Sequence, residues 1–241
     1  MFLASTLALI PALNESGCVA ATIENWQTLG TKWVRVVDNG STDDTATVAR
    51  VAGAEVVNEL KRGYGAAAWR GLQNLPADVQ WILFSSADGS DRLTKDEAQQ
   101  WQQQVDAGFD LLIGDRVTPA QSREHLKAVQ GFGNRLCCVL IALGWGRRFN
   151  DMGSLRLIRR KAIEQLALKD RSFGWNVEMQ VRAIEQGLRI IELPVVYHPR
   201  TVGRSKISGS FFGTVRAGAS IVLMMVKLWG TKRRGRVEIH H

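Results

Sequence analysis

Apolar runs and helical patterns alternate along the first half of the chain, and each apolar run ends in a polar turn. Residues 7–12, 33–38, 54–58, 81–85 and 111–114 are short and apolar, and they read as buried strands. Between them, 18–29, 66–74 and 94–107 carry helical spacing, and Thr42 or Asp43 stands where it would cap a helix after the second strand. A strand–helix–strand rhythm requires parallel strands joined by right-handed crossovers. The predicted class is therefore α/β, a Rossmann-like open and mostly parallel sheet with helices on both faces. Further on, 130–143, 161–168 and 175–186 read as helices, and 153–158 and 189–197 as strands. Residues 211–229 read as a long apolar helix.

Sheets of this kind bind ligands beyond the C-terminal ends of their strands. The segments expected there are polar. Pro11-Ala-Leu13-Asn-Glu15 follows the first strand and Asp38-Asn-Gly-Ser-Thr-Asp43 the second. Ser86-Ala87-Asp88-Gly-Ser90-Asp91 follows the fourth, and Gly114-Asp-Arg116 the fifth. A carboxylate on a turn after a buried strand can hold a divalent cation by oxygen ligation, and Asp88 is the candidate. A carboxylate at Asp38 can accept from a nucleobase N–H or a ribose hydroxyl. The first turn lacks the G-x-G-x-x-G of dinucleotide-binding folds. Gly63-Tyr-Gly65 would either let backbone approach a ligand or start a helix.

Charge narrows the choice of partner. The net charge is +8, and nine Lys or Arg with one acid lie from Arg200 onward, leaving 22 of each sign before it. Acidic strand ends on a neutral body would repel a phosphate backbone, which argues against nucleic acid. Arg200-Thr-Val-Gly-Arg204-Ser-Lys206 sets three cations on a glycine-containing loop, a composition suited to phosphate. Three cysteines, two of them adjacent, fit a reducing compartment rather than a disulfide framework. No uncharged apolar run reaches roughly 18 residues, so no transmembrane helix is predicted and a cytoplasmic location, peripheral to a membrane, is expected. The N-terminal apolar run lacks the basic flank of a signal peptide and reads as the first strand.

In this order the segments resemble family 2 glycosyltransferases, and more closely the polyprenyl-phosphate group that includes dolichol-phosphate mannosyltransferase. The matching stretches are IPALNES (10–16), VVDNGSTDDTATVA (36–49), GYGAA (63–67), SADGSD (86–91), GDR (114–116), GNRL (133–136) and DMGSLRLIRRKAI (151–163). Residues 175–200 and GRSK (203–206) complete the set. The resemblance implies a GT-A fold over 1–208, with 209–241 as an amphipathic helix and basic tail. It implies a nucleotide-diphospho-sugar donor, GDP- or UDP-hexose, with Mg²⁺ or Mn²⁺. On this basis Pro11, Leu13, Glu15, Val36 and Asp38 would hold the nucleotide. Ser86, Ala87 and Asp88 match a D-A-D metal and diphosphate segment, Arg116 follows the fifth strand, and Arg200 and Lys206 form the basic pair over the phosphates. Arg135 and Arg156, with Arg116, are the further candidates for the acceptor side. Ser86 replaces the first acid of D-A-D, and Gly153-Ser-Leu155 replaces Ser-Gly-Phe ahead of Arg156.

The expected reaction is inverting hexose transfer to a polyprenyl or dolichyl phosphate. An acceptor phosphate is already anionic, whereas a hydroxyl would need a base, for which Asp151 and Glu178 are the candidates. The alternatives are transfer to a soluble hydroxyl, and nucleotide-sugar binding without transfer. The 211–229 helix, with Arg216, Ser220 and Lys227 as its polar stripe, would lie on an anionic membrane surface; the same apolar surface also suits packing on the domain or a homo-oligomer contact.

Overall fold

The computed structural model describes residues 2–123, 128–198 and 220–232. Arg200, Arg204, Lys206 and the first part of the expected 211–229 helix lie outside them. The strands are β1 (Thr6–Ala12), β2 (Trp33–Asp38), β3 (Glu55–Asn58), β4 (Trp81–Phe84), β5 (Leu111–Asp115), β6 (Arg156–Arg159) and β7 (Ile190–Pro194). The helices are α1 (Val19–Thr28), α2 (Thr45–Val51), α3 (Tyr64–Gly71), α4 (Lys95–Asp106), α5 (Ala120–Arg123), α6 (Ala128–Trp145), α7 (Arg160–Leu166) and α8 (Trp175–Glu185), followed by α9 (220–232).

One seven-stranded sheet runs β3-β2-β1-β4-β6-β5-β7. All pairs are parallel except those that β6 makes with β4 and β5. The period of two divides each strand between two cores. Leu7 and Leu9 of β1 join the cluster containing Trp175, Ile141 and Met225, while Ala8 and Ile10 join the one containing Trp26, Ile23 and Trp101. Helices thus cover both faces, as the apolar strands require. Burying side chains of this size contributes about 1.5–3 kcal/mol each.

Connections leave β1 toward β2 on one side and reach β4 on the other. The crevice between β1 and β4 is the topological switch point, where open α/β sheets take their ligands. The segments 11–15 and 86–91 leave the sheet there.

Some boundaries differ from expectation. The strand expected at 153–158 is observed at Arg156–Arg159, and Gly153 ahead of it sits against the carbonyl of Gly114 too closely for a side chain. The 189–197 strand ends at Pro194, although Val195 N–H still donates to Asp115 O. Asp44, not Thr42 or Asp43, is the N-cap position of α2, and its side chain makes no capping bond. The Asp43 carboxylate instead accepts from the N–H groups of Thr45 and Ser16. Thr94 caps α4, with Glu97 completing a capping box that was not singled out in the sequence.

Candidate active site

The loops after β1 and β2 are built as one unit. Asn14 has a left-handed backbone (φ 54°), which asparagine tolerates. Its N–H donates to Ser41 Oγ (2.9 Å), and its Oδ1 accepts from Thr42 N–H (2.7 Å). Glu15 N–H donates to Thr45 Oγ1 at 2.8 Å. Burial raises the Asp43 carboxyl, but the bonds from Thr45 and Ser16 outweigh it and hold the group down at about 2. Pro11, Leu13, Glu15 and Asp38 are half-buried at this rim. Ser41 N–H donates to Asp38 Oδ1 at 3.2 Å. Val36 is different: it is fully buried in the core one turn of the pleat below the rim. Its side chain packs in the core, so any contact with a nucleotide would come from its backbone.

Asn39 was not singled out by the sequence. It is buried, its Nδ2 donates to the carbonyls of Glu59 and Lys61, and its Oδ1 accepts from Gly63 N–H. This brings 59–63 under the second strand end. Gly63 (φ 150°) and Gly65 then lie against the backbone of 170–172, where a Cβ on either would collide with Arg171 or Asp170. Gly65 N–H donates to Ser172 O (2.9 Å) and Ala66 N–H to Arg171 O (3.0 Å). The glycines serve close approach of the chain to itself, together with the start of α3.

Beyond β4, Ser86 is half-buried and Ala87 buried. Asp88 is buried, and its Oδ1 accepts from both Ser90 N–H (3.0 Å) and Ser90 Oγ–H (2.6 Å). Asp91 lies behind it. Its Oδ2 accepts from Ser86 N–H and Ser154 Oγ–H, each at 2.7 Å. Burial first, and then the Asp88 charge, push the Asp91 carboxyl up to about 6. Asp91 was read only as a neighbour of Asp88; the structure makes it the second acid of the segment. Among the described residues no three His, Cys, Asp or Glu side chains form a metal-binding group. The oxygen donors at Asp88 fit a hard divalent cation that takes its other ligands from substrate phosphates and water.

Arg116 and Asp151 form a bidentate pair. Nε–H donates to Oδ2 (2.7 Å), Nη2–H to Oδ1 (2.9 Å), and the Arg116 backbone N–H adds a third bond at 3.0 Å. Burial raises the Asp151 carboxyl, but Arg116 outweighs it and leaves the group below its ordinary value. A fully buried carboxylate so held is a poor proton acceptor, which corrects the reading of Asp151 as a catalytic base. Glu178 is likewise committed: its Oε2 accepts from the N–H groups of Lys169 and Asp170.

Arg156 requires a further correction. It is completely buried, donates to Gly153 O, Asn176 O and Gln180 Oε1, and is lowered by burial to about 10. It ties β6 to α8 and does not face an acceptor. Arg135 is exposed on α6. Its neighbour Asn134 holds the 150–152 loop through Asn150 O and Met152 N–H. After β7 the chain returns to the centre of the rim, where His198 N–H reaches Ser90 O at 3.4 Å and Tyr197 lies under the Arg116 guanidinium at 5.7 Å. Arg200 follows two residues later.

The strand ends, the acidic pair and the returning chain are the parts that a nucleotide-sugar enzyme of this topology needs, and comparison with known proteins is decisive. The family model described as Glycosyl transferase family 2 matches residues 8–167. The chain belongs to glycosyltransferase family 2. An uncharacterized glycosyltransferase of Mycobacterium tuberculosis is 36% identical over 219 residues, covering 87% of this chain and 92% of the relative. A polyprenol monophosphomannose synthase of Mycolicibacterium smegmatis is 27% identical over 250 residues, covering 97% and 89%. Among solved structures, glucosyl-3-phosphoglycerate synthase from Mycobacterium tuberculosis, in complex with Mn²⁺, UDP-glucose and phosphoglyceric acid, superposes with a TM-score of 0.71 at 18% identity. It covers 94% of this chain and 80% of that one. The fold of this glycosyltransferase is therefore GT-A.

Proposed function

We propose that this glycosyltransferase moves a hexose, with inversion, from GDP- or UDP-hexose to a polyprenyl phosphate. One observation carries the choice of acceptor. The carboxylates that the sequence offers as a base for a hydroxyl, Asp151 and Glu178, are buried and already hydrogen-bonded by the protein, and Asp91 beside the site is likewise held by Ser86 and Ser154. An acceptor phosphate brings its own anionic oxygen and needs no such base. The polyprenol monophosphomannose synthase relative supports the same acceptor class.

The residues divide the work as follows. Asp38 accepts from the nucleoside, and the 11–15 loop closes on it from β1. Asp88 would hold Mg²⁺ or Mn²⁺, which when bound offsets charge on the departing nucleoside diphosphate. Arg116, whose Nε and Nη2 are held by Asp151, keeps its Nη1 donors for the acceptor side. Arg200 and Lys206 bind the donor and acceptor phosphates and stabilise the charge that develops between them. Groups fixed before the reaction cost no reorganisation when it occurs.

The test is transfer from radiolabelled GDP-mannose, GDP-glucose or UDP-glucose to a polyprenyl phosphate in detergent, with Mg²⁺ or Mn²⁺. A labelled, organic-extractable, acid-labile product is expected, with kcat/KM falling roughly 100-fold in Arg200→Ala and Lys206→Ala. Label appearing only on phosphoglycerate or another water-soluble hydroxyl compound would overturn the lipid-phosphate reading.

A further inference from the structure

Helix α9 is apolar on two opposite sides. Met224, Met225 and Leu228 are buried in the core, with Met224 seated on Gly174. Val222, Leu223 and Val226 face outward, Leu223 being 73% exposed and Val226 60%. The first set explains why the helix packs on the domain, and leaves the second unexplained. Helix α6 repeats the pattern. Its Cys137, Cys138 and Ile141 are buried, while Leu136, Val139 and Leu143 share the outer face at spacings of three and four. Leu143 is 76% exposed. The helices meet at their C-terminal ends, where Trp229 stacks on Trp145 at 6.4 Å and packs on Gly144, and Lys232 Nζ donates to Gly144 O. The two helices are thus joined at these ends, each with an apolar outer face. A monomer in water rarely presents so many large apolar side chains together without a partner.

Charge identifies the partner. Neither 128–145 nor 220–232 contains an Asp or Glu. Arg135 and Lys227 are exposed beside the apolar side chains, and the sequence continues from Lys232 into Arg233, Arg234 and Arg236. Glu185, which accepts from Trp145 Nε1, is paired with Arg182. A two-fold contact would set this face against itself and oppose like charges. An anionic lipid surface satisfies both the apolar and the basic groups. No helix among the described residues is long and apolar enough to cross a membrane, so the contact is in-plane.

We propose that α6 and α9 together form a docking face for an anionic bilayer. The proposal rests on this surface and not on the identity of the acceptor. The face does connect to the site, since Asn134 of α6 holds the loop that carries Asp151.

The experiment is flotation of the full chain with phosphatidylcholine vesicles, with or without phosphatidylglycerol. Binding should require the anionic lipid and fall roughly tenfold at high salt. Leu143→Glu and Leu223→Glu, on separate helices, should each lower partitioning roughly tenfold or more, with melting temperatures unchanged because both side chains are exposed. Lys227→Glu should weaken binding to anionic vesicles without any packing change. Absence of flotation, or equal flotation by Leu143→Glu and wild type, would overturn the proposal. So would a stable dimer in light scattering that Leu143→Glu dissociates, which would assign the face to a second copy. Transfer to a soluble acceptor with intact vesicle binding would remove the lipid-phosphate reading and leave the docking face standing.

Discussion

Replacing Asp91 by Asn should stabilise this enzyme at neutral pH. The carboxyl is buried beside Asp88 and titrates at about 6 in the fold, against an ordinary value of 3.8. A raised carboxyl means that the native state holds the proton more tightly than the unfolded chain. Stability is then lost as pH rises from about 4 through about 6, and the loss is complete above that. Two pK units correspond to about 3 kcal/mol. Asn keeps an oxygen for Ser86 N–H and Ser154 Oγ–H, as the protonated acid does, and the value of about 6 already contains the stronger bonds that these groups give the charged carboxylate. The gain at pH 8 is therefore about 3 kcal/mol, or roughly 6–12 °C in melting temperature for a chain of this size. Urea midpoints should be measured with a chelator present, for both proteins, from pH 4 to pH 8. The difference between them should grow across pH 4–6 and vanish at the acid end. A pH-independent difference, or a variant less stable than wild type at pH 8, would refute the argument that the two acids oppose each other.

Three further outcomes are expected. Asp151→Ala leaves Arg116 without its partner and should cost about 2–3 kcal/mol, less than a fully buried pair because the guanidinium keeps some exposure; unfolding at pH 7 reads this directly. Gly65→Ala drives a Cβ into the backbone of Asp170 and Arg171 and should cost about 2–4 kcal/mol, with the soluble yield falling accordingly. Asp88→Ala should remove the dependence of transfer on added Mn²⁺ together with most of the activity, and full metal-dependent transfer by this variant would sink the assignment of Asp88 to the cation.

Much of the architecture was legible in the sequence, for a physical reason. The strand runs are short and apolar, the turns between them are rich in Gly, Asn and Asp, and the 94–107 run carries helical spacing. The positions of Asp38 and Asp88 followed from the rule that sites form at strand ends. What sequence could not give was direction and depth. Arg156 and Val36 carry motif positions, yet the pleat turns both inward. Asp151 looks like a base until Arg116, 35 residues earlier, is seen folded onto it. The pairing of Asn39 with 59–63, and of Gly63 and Gly65 with 170–172, are long-range contacts with no periodic signal. A buried Asn inside a turn-forming run was the one available hint.

The Arg116–Asp151 pair has a consequence for what the resting enzyme will admit. With the Arg116 guanidinium already neutralised by Asp151, the carboxylates of Asp38, Asp88 and Asp91 outnumber the described cations bonded to the same loops, Arg62 and Arg92, and the crevice carries a net anionic field before any substrate arrives. Free nucleoside diphosphate, inorganic phosphate and other bare anions of the cell meet that field as a barrier. A donor already complexed with a divalent cation does not. Under the proposed donor site, the acids would therefore act as a sieve on the form in which the donor enters, disfavouring uncomplexed phosphates that compete for the same crevice.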